Sequence, residues 1–128
     1  MSAHILIIED NEMSLALAEY LLRQSGYTIS SATDGDSGVR LALENRADLI
    51  LCDLDLPVLD GPQVVGALLA DRSWERVPIL AFTAAAMSEE QRRTLTDFDG
   101  CIVKPIDPAS FAATVGGHLA PELRASHG

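Results

Sequence analysis

The segment Asp48–Pro57, DLILCDLDLP, sets the apolar run Leu49–Cys52 between acidic side chains. A short run that is apolar without alternation fits a strand buried on both faces, as in a parallel sheet covered by helices. A strand is therefore expected over Asp48–Cys52, with Asp53 and Asp55 standing just past its end, ahead of Leu56-Pro57. Open parallel sheets bind ligands at the carboxyl ends of their strands. An acidic pair at that place is the first pointer to a site.

Working outward, similar short apolar runs occur at His4–Ile8, Tyr27–Ala32, Val77–Phe82 and Gly100–Val103. Segments of helical character separate them. Asp10 or Asn11 can cap the first helix, in which Met13, Leu17 and Leu21 recur every four residues, and Gly26 fits its stop. Val39, Leu41, Ala42 and Leu43 give the second a core-facing stripe. Pro62 suits the first turn of the third, with Val65, Leu68 and Leu69 turned inward. Ser88-Glu89-Glu90-Gln91 reads as a capping box for the fourth. Asp107-Pro108 opens the fifth, with Phe111, Val115 and Leu119 as its buried face and Gly116-Gly117 weakening its end. Repeated strand–helix alternation implies an α/β fold: a parallel sheet with helices on both faces.

Size and charge narrow the function classes. A chain of 128 residues forms one domain, and 48% apolar residues give it a core. The net charge of −10 argues against nucleic-acid binding, which needs clustered Lys and Arg to replace counterions. The apolar runs are too short to span a bilayer, and no charged-then-apolar leader opens the chain, so no membrane partner is expected. Cys52 and Cys101 have neither metal-ligand spacing nor a disulfide framework, which fits a reducing cytoplasm. His4, His118 and His127 are not spaced for metal binding, and Trp74 and Arg76 read as loop packing.

The strand ends then collect polar groups. Glu9 and Asp10 follow the first, Asp53 and Asp55 the third, Thr83 the fourth and Lys104 the fifth, while the second strand contributes none, as suits an edge. Singly each has an ordinary reading: Asp10 as a helix cap, Asp55 and Thr83 as turn residues, Lys104 as a solvated charge. Jointly they share one end of one sheet. Carboxylates gathered there repel one another unless a proton or cation intervenes. Hard oxygen ligands at a wet rim suit Mg²⁺. A carboxylate can attack phosphorus to give an aspartyl phosphate. Catalysis of such transfer is mostly placement and charge neutralisation, to which a lysine ammonium and a threonine hydroxyl can contribute.

With Glu9-Asp10, Asp53-Leu-Asp-Leu-Pro57, Asp60-Gly61, Phe82-Thr83-Ala84 and Val103-Lys104-Pro105 in this order, the chain resembles the receiver domain of bacterial two-component response regulators, from Ile5 to about Leu119. The resemblance implies a flavodoxin-like fold with strand order 2-1-3-4-5, over residues 1–120, with 121–128 as a C-terminal tail. It implies Asp53 as phosphoacceptor, Asp10 as direct Mg²⁺ ligand, and Glu9 as the acidic neighbour holding metal-bound water. Asp55 would complete the metal site through its backbone carbonyl, Thr83 would swing toward the phosphoryl group, and Lys104 would pair with it. The phosphodonor would be a histidine kinase or histidine phosphotransfer protein. The readout would be a downstream protein bound on a surface of the fourth helix, fifth strand and fifth helix, where homodimers also form in the family. Such a domain is a phosphoacceptor and not an enzyme in the ordinary sense, although it assists its own phosphorylation and dephosphorylation.

Three departures stand out. Cys101 occupies the place three before the lysine where the family commonly carries Tyr or Phe, and is expected to pack as a small residue against the fourth helix. Glu9 replaces the commoner Asp, and Ala85 leaves a position on the rim without a polar group. Two other readings compete with a free-standing regulator, for which Met1 just ahead of the first strand marks a natural start. The chain is a receiver cut from a longer hybrid kinase or regulator, or it is a haloacid-dehalogenase-type phosphohydrolase, whose Asp-x-Asp motif Asp53-Leu-Asp55 resembles. Against the last, that motif normally follows the first strand, and Pro57 stands where Thr or Val is expected.

Overall fold

The computed structural model describes residues 3–54, 56, 60–70, 77–84 and 87–119. Its strands are β1 (His4–Ile8), β2 (Thr28–Ala32), β3 (Leu49–Asp53), β4 (Ile79–Ala84) and β5 (Gly100–Lys104). They form one five-stranded sheet in the order β2-β1-β3-β4-β5, and every pairing is parallel. The helices are α1 (Glu12–Gln24), α2 (Gly35–Glu44), α3 (Gly61–Leu69), α4 (Glu89–Thr94) and α5 (Phe111–Gly116). Trp74, Arg76 and the 121–128 tail lie outside the described residues.

The apolar runs form a sheet because each can bury both faces. Ile5, Ile7, Leu49, Leu51, Leu80 and Phe82 face Ala18, Leu22, Phe111, Val115 and Leu119 on one side. Leu6, Ile8, Ile50, Cys52, Ile79 and Ala81 face Ala42, Val64, Val65 and Leu68 on the other. Successive strand residues point to opposite faces, so a fully apolar strand feeds both layers. β2, with the sequence TISSA, is only partly buried, as an edge strand can be.

Caps fix where helices begin. Asn11, rather than Asp10, caps α1 by accepting from the Ser14 N–H at 2.9 Å. Asp60 and Ser88 close reciprocal capping boxes with Gln63 and Gln91. Gly26 follows α1 with φ of 96°, a backbone region open to glycine.

Several expectations shift. The strands run to Asp53, Ala84 and Lys104, so Asp53, Thr83 and Lys104 lie within strand ends rather than after them. β2 begins at Thr28 and β4 at Ile79, later than Tyr27 and Val77, and α5 begins at Phe111 after a turn that Asp107 nucleates. On α1 the four-residue repeat does not mark the core: Met13 is 84% exposed and Leu17 38%, while Ala18 and Leu22 are buried. Leu43 on α2 is likewise exposed, because Ala42 takes the inward place. Val65 and Leu68 of α3 are buried as expected, and the side chain of Leu69 lies outside the described residues. Cys101 does not pack under α4; it is exposed, and α4 buries none of its residues.

Candidate phosphoacceptor site

The carboxyl ends of β1, β3, β4 and β5 open onto a cleft of about 340 Å³ lined by Glu9, Asp10, Asn11, Asp53, Thr83, Ala84, Gln91 and Lys104. Parallel pairing brings them to one level, since Ile8 registers with Cys52, Asp53 with Phe82, and Ala84 with Lys104. One carboxylate oxygen each from Glu9, Asp10 and Asp53 lies within 4.8 Å of the others. Glu9 and Asp53 are buried and Asp10 is exposed, so the group has a dry floor and a wet mouth.

Lys104 supplies the opposing charge. Its Nζ donates to Glu9 Oε2 at 3.0 Å and stands 3.6 Å from Asp53 Oδ2. The same ammonium lies 5.0 Å from the centroid of the Phe82 ring, a contact that electrostatics favours. The other Glu9 oxygen accepts from the Asn11 N–H at 3.0 Å. Both oxygens of this buried acid are thus engaged, which offsets the desolvation of its charge. Thr83 is buried, and its hydroxyl donates to the Ala84 carbonyl at 3.3 Å. The Lys104–Pro105 peptide is cis. Cys52 precedes Asp53 on β3 and is packed with Val64, Val65 and Leu68; burial and the charges of Asp53 and Glu9 push its thiol pKa upward.

Of the residues singled out in the sequence, Glu9, Asp10, Asp53, Thr83 and Lys104 all meet in this cleft. Asp55 and Ala85 lie outside the described residues. Sequence reasoning missed Asn11 and Gln91 as lining residues and Phe82 as the surface under the ammonium. Asn11 and Gln91 both read as capping residues, and only the placement of α1 and α4 turns them toward the cleft.

The family model for the response regulator receiver domain matches residues 5–116. The chain belongs to the response regulator receiver domain family. Among relatives of the receiver, the polar-differentiation response regulator DivK of Brucella anthropi is 35% identical over 120 residues, covering 93% of this chain and 98% of that protein. The chemotaxis protein CheY4 of Vibrio cholerae superposes with a TM-score of 0.85 at 26% identity, over 93% of this chain and 100% of the other. The receiver domain of the sensor histidine kinase PA1611 from Pseudomonas aeruginosa, solved with a magnesium ion coordinated in its active-site cleft, matches with a TM-score of 0.83 at 33% identity, over 91% and 97% of the two chains. The strand order is the one this family was expected to bring. Asp53 ends the third strand in chain order, so the phosphohydrolase reading, whose motif follows the first, has no support. Among the described residues no helix is long and apolar enough to cross a membrane.

Proposed function

We propose that this receiver accepts a phosphoryl group on Asp53, with Mg²⁺ held by Glu9, Asp10, Asp53 and the backbone carbonyl of Asp55. The observation that carries the reading is the meeting of Glu9, Asp10 and Asp53 within 4.8 Å, beside an ammonium, at the carboxyl end of the sheet. The donor set fits the ion: hard carboxylate oxygens at a wet cleft mouth are what Mg²⁺ takes while keeping several waters. When bound, it would neutralise charge on the incoming phosphate.

The chain's own residues do the rest. Asp53 presents a carboxylate oxygen to the phosphorus; that O–P bond forms as the donor's P–N bond breaks, and the donor histidine leaves with the pair of electrons. Lys104 offsets the added negative charge. The Thr83 hydroxyl turns from the Ala84 carbonyl to donate to a phosphoryl oxygen. The new contacts bias the surface around α4, β5 and α5 between two arrangements. The donor in this reading is a histidine kinase or phosphotransfer protein and the readout a second protein, both in the cytoplasm. Near-complete coverage of DivK favours a free-standing regulator; the match to a receiver of a sensor kinase keeps the hybrid-kinase context as a second reading.

To test it, the protein is incubated with Mg²⁺ and a small acyl phosphate and its mass measured. One added phosphoryl group is expected, lost in Asp53→Asn and in the presence of chelator. Retention of the adduct in Asp53→Asn would overturn the assignment.

A further inference from the structure

We propose that Gln91 is a phosphoryl-binding residue: its side-chain oxygen caps α4 while its side-chain nitrogen donates to an oxygen of the phosphoryl group on Asp53. The inference rests on the phosphoacceptor reading above and adds to it a ligand from the α4 side of the cleft.

The cap fixes how the side chain is presented. Gln91 Oε1 accepts from the Ser88 N–H at 3.1 Å, and the Gln91 N–H donates to Ser88 Oγ at 3.1 Å. A carboxamide carries an acceptor at one end and two donors at the other. Only the oxygen can meet a backbone N–H, so this bond settles which end is which. The nitrogen end is the one that can serve an anion, and Gln91 lines the same cleft as Asp53, Thr83 and Lys104.

Capping alone does not select glutamine here. A capping box takes Glu or Gln at this position, and Glu89 and Glu90 stand beside it in the same turn. The cleft makes the difference. Glu9, Asp10 and Asp53 already gather three carboxylates, and a further one at position 91 would repel both them and an incoming phosphate. A carboxamide keeps the cap and offers a neutral donor instead. Ala84, Ala85, Ala86 and Met87 fill the chain between Thr83 and the capping Ser88. Gln91 is therefore the polar side chain that α4 brings to the cleft. A phosphoryl group carries roughly two negative charges and three acceptor oxygens, and hydrogen bonds to such a charge are about twice as strong as neutral ones.

The whole chain is titrated with the beryllium trifluoride anion, a phosphoryl mimic, at saturating Mg²⁺, and melting temperatures are measured without the anion. Gln91→Glu keeps the cap acceptor and replaces the donor by a charge. Gln91→Met removes cap and donor and adds no charge. Both are expected to weaken the anion at least about ten-fold, the worth of a hydrogen bond to a charged group, while Gln91→Glu melts no lower than the wild type. Wild-type affinity in Gln91→Glu would leave the residue a cap only, and wild-type affinity in Gln91→Met would leave only repulsion by the added charge. Either result overturns the inference. A direct reading comes from the side-chain N–H protons of Gln91, identified by their absence from the spectra of the variants. One should move downfield as the anion binds the wild type, and unmoved signals at saturation overturn the inference. A wild-type chain that takes up no anion with Mg²⁺ present would instead remove the phosphoacceptor reading, and this inference with it.

Discussion

Gly38 of α2 lies against the side chain of Ile8 so closely that a Cβ there would stand 2.8 Å from Ile8 Cγ1 and 3.1 Å from Cγ2. Ile8 is fully buried at the end of β1 and immediately precedes Glu9. The missing methyl therefore sets how near α2 rests on the sheet, one residue from the acidic pair.

Gly38→Ala should destabilise the fold despite alanine's better helix propensity. Overpacking costs about 1–3 kcal/mol against a helix gain of about 0.5–1 kcal/mol, so a net loss of up to about 2.5 kcal/mol is expected in denaturant unfolding. Mg²⁺ affinity should fall with it, because Ile8 is fully buried and passes part of the strain to the strand end that carries Glu9. Unchanged stability and affinity would mean that Ile8 simply rotates away.

Removing the lysine should be felt in the fold as well as in signalling. Lys104→Ala leaves the buried Glu9 without its ammonium, a loss of roughly 1–3 kcal/mol for a pair whose lysine is partly solvated. Added Mg²⁺ should raise the variant's melting temperature more than the wild type's, since it binds the folded state and replaces the missing charge. On the proposed role some phosphorylation persists, while the response of the downstream partner is lost. Full partner binding by phosphorylated Lys104→Ala would contradict that role.

The two thiols should differ sharply. Cys101 is exposed and Cys52 buried, the latter donating to the Asp53 carbonyl at 3.4 Å. Because the thiolate is the reactive form and burial disfavours it, a disulfide reagent should label one thiol promptly and the second only on unfolding. Mass analysis should find the early label on Cys101. Early labelling of Cys52 would mean that the core layer it shares with Val64, Val65 and Leu68 opens.

Asp34 ties one piece of stability to pH. It caps α2 by accepting from the Ser37 N–H at 2.7 Å and the Ser37 hydroxyl at 3.1 Å. These contacts, the backbone one foremost, with the charge of Arg40, hold its carboxyl below the ordinary 3.8. A lowered folded-state value means the contribution is complete above 3.8 and drains away as pH falls through the lowered value. The melting-temperature gap between wild type and Asp34→Ala should therefore be constant near neutrality and shrink in acid. Asp34→Asn keeps the cap without the titration, so its gap to Asp34→Ala should hold in acid.

The order of elements, the all-parallel class of the sheet and the charged and hydroxyl groups Glu9, Asp10, Asp53, Thr83 and Lys104 of the cleft were legible in the sequence, because each rests on local information. Unbroken apolar runs mark strands buried on both faces, Ser88 and Gln91 spell out a capping box, and a carboxylate or lysine at a strand end needs only its own strand to place it. What the tertiary structure alone decided concerns which way a helix turns and which charges touch. Met13 and Leu17 repeat like a core stripe, yet Ala18 and Leu22 face the sheet, since periodicity fixes that a face exists and packing chooses it. Cys101 lies exposed because α4 is short and buries nothing, a matter of how two elements dock. Lys104 settles on Glu9, 95 residues away in the chain, because parallel pairing lifts both strand ends to one level and leaves a buried acid that only a long cationic side chain can reach.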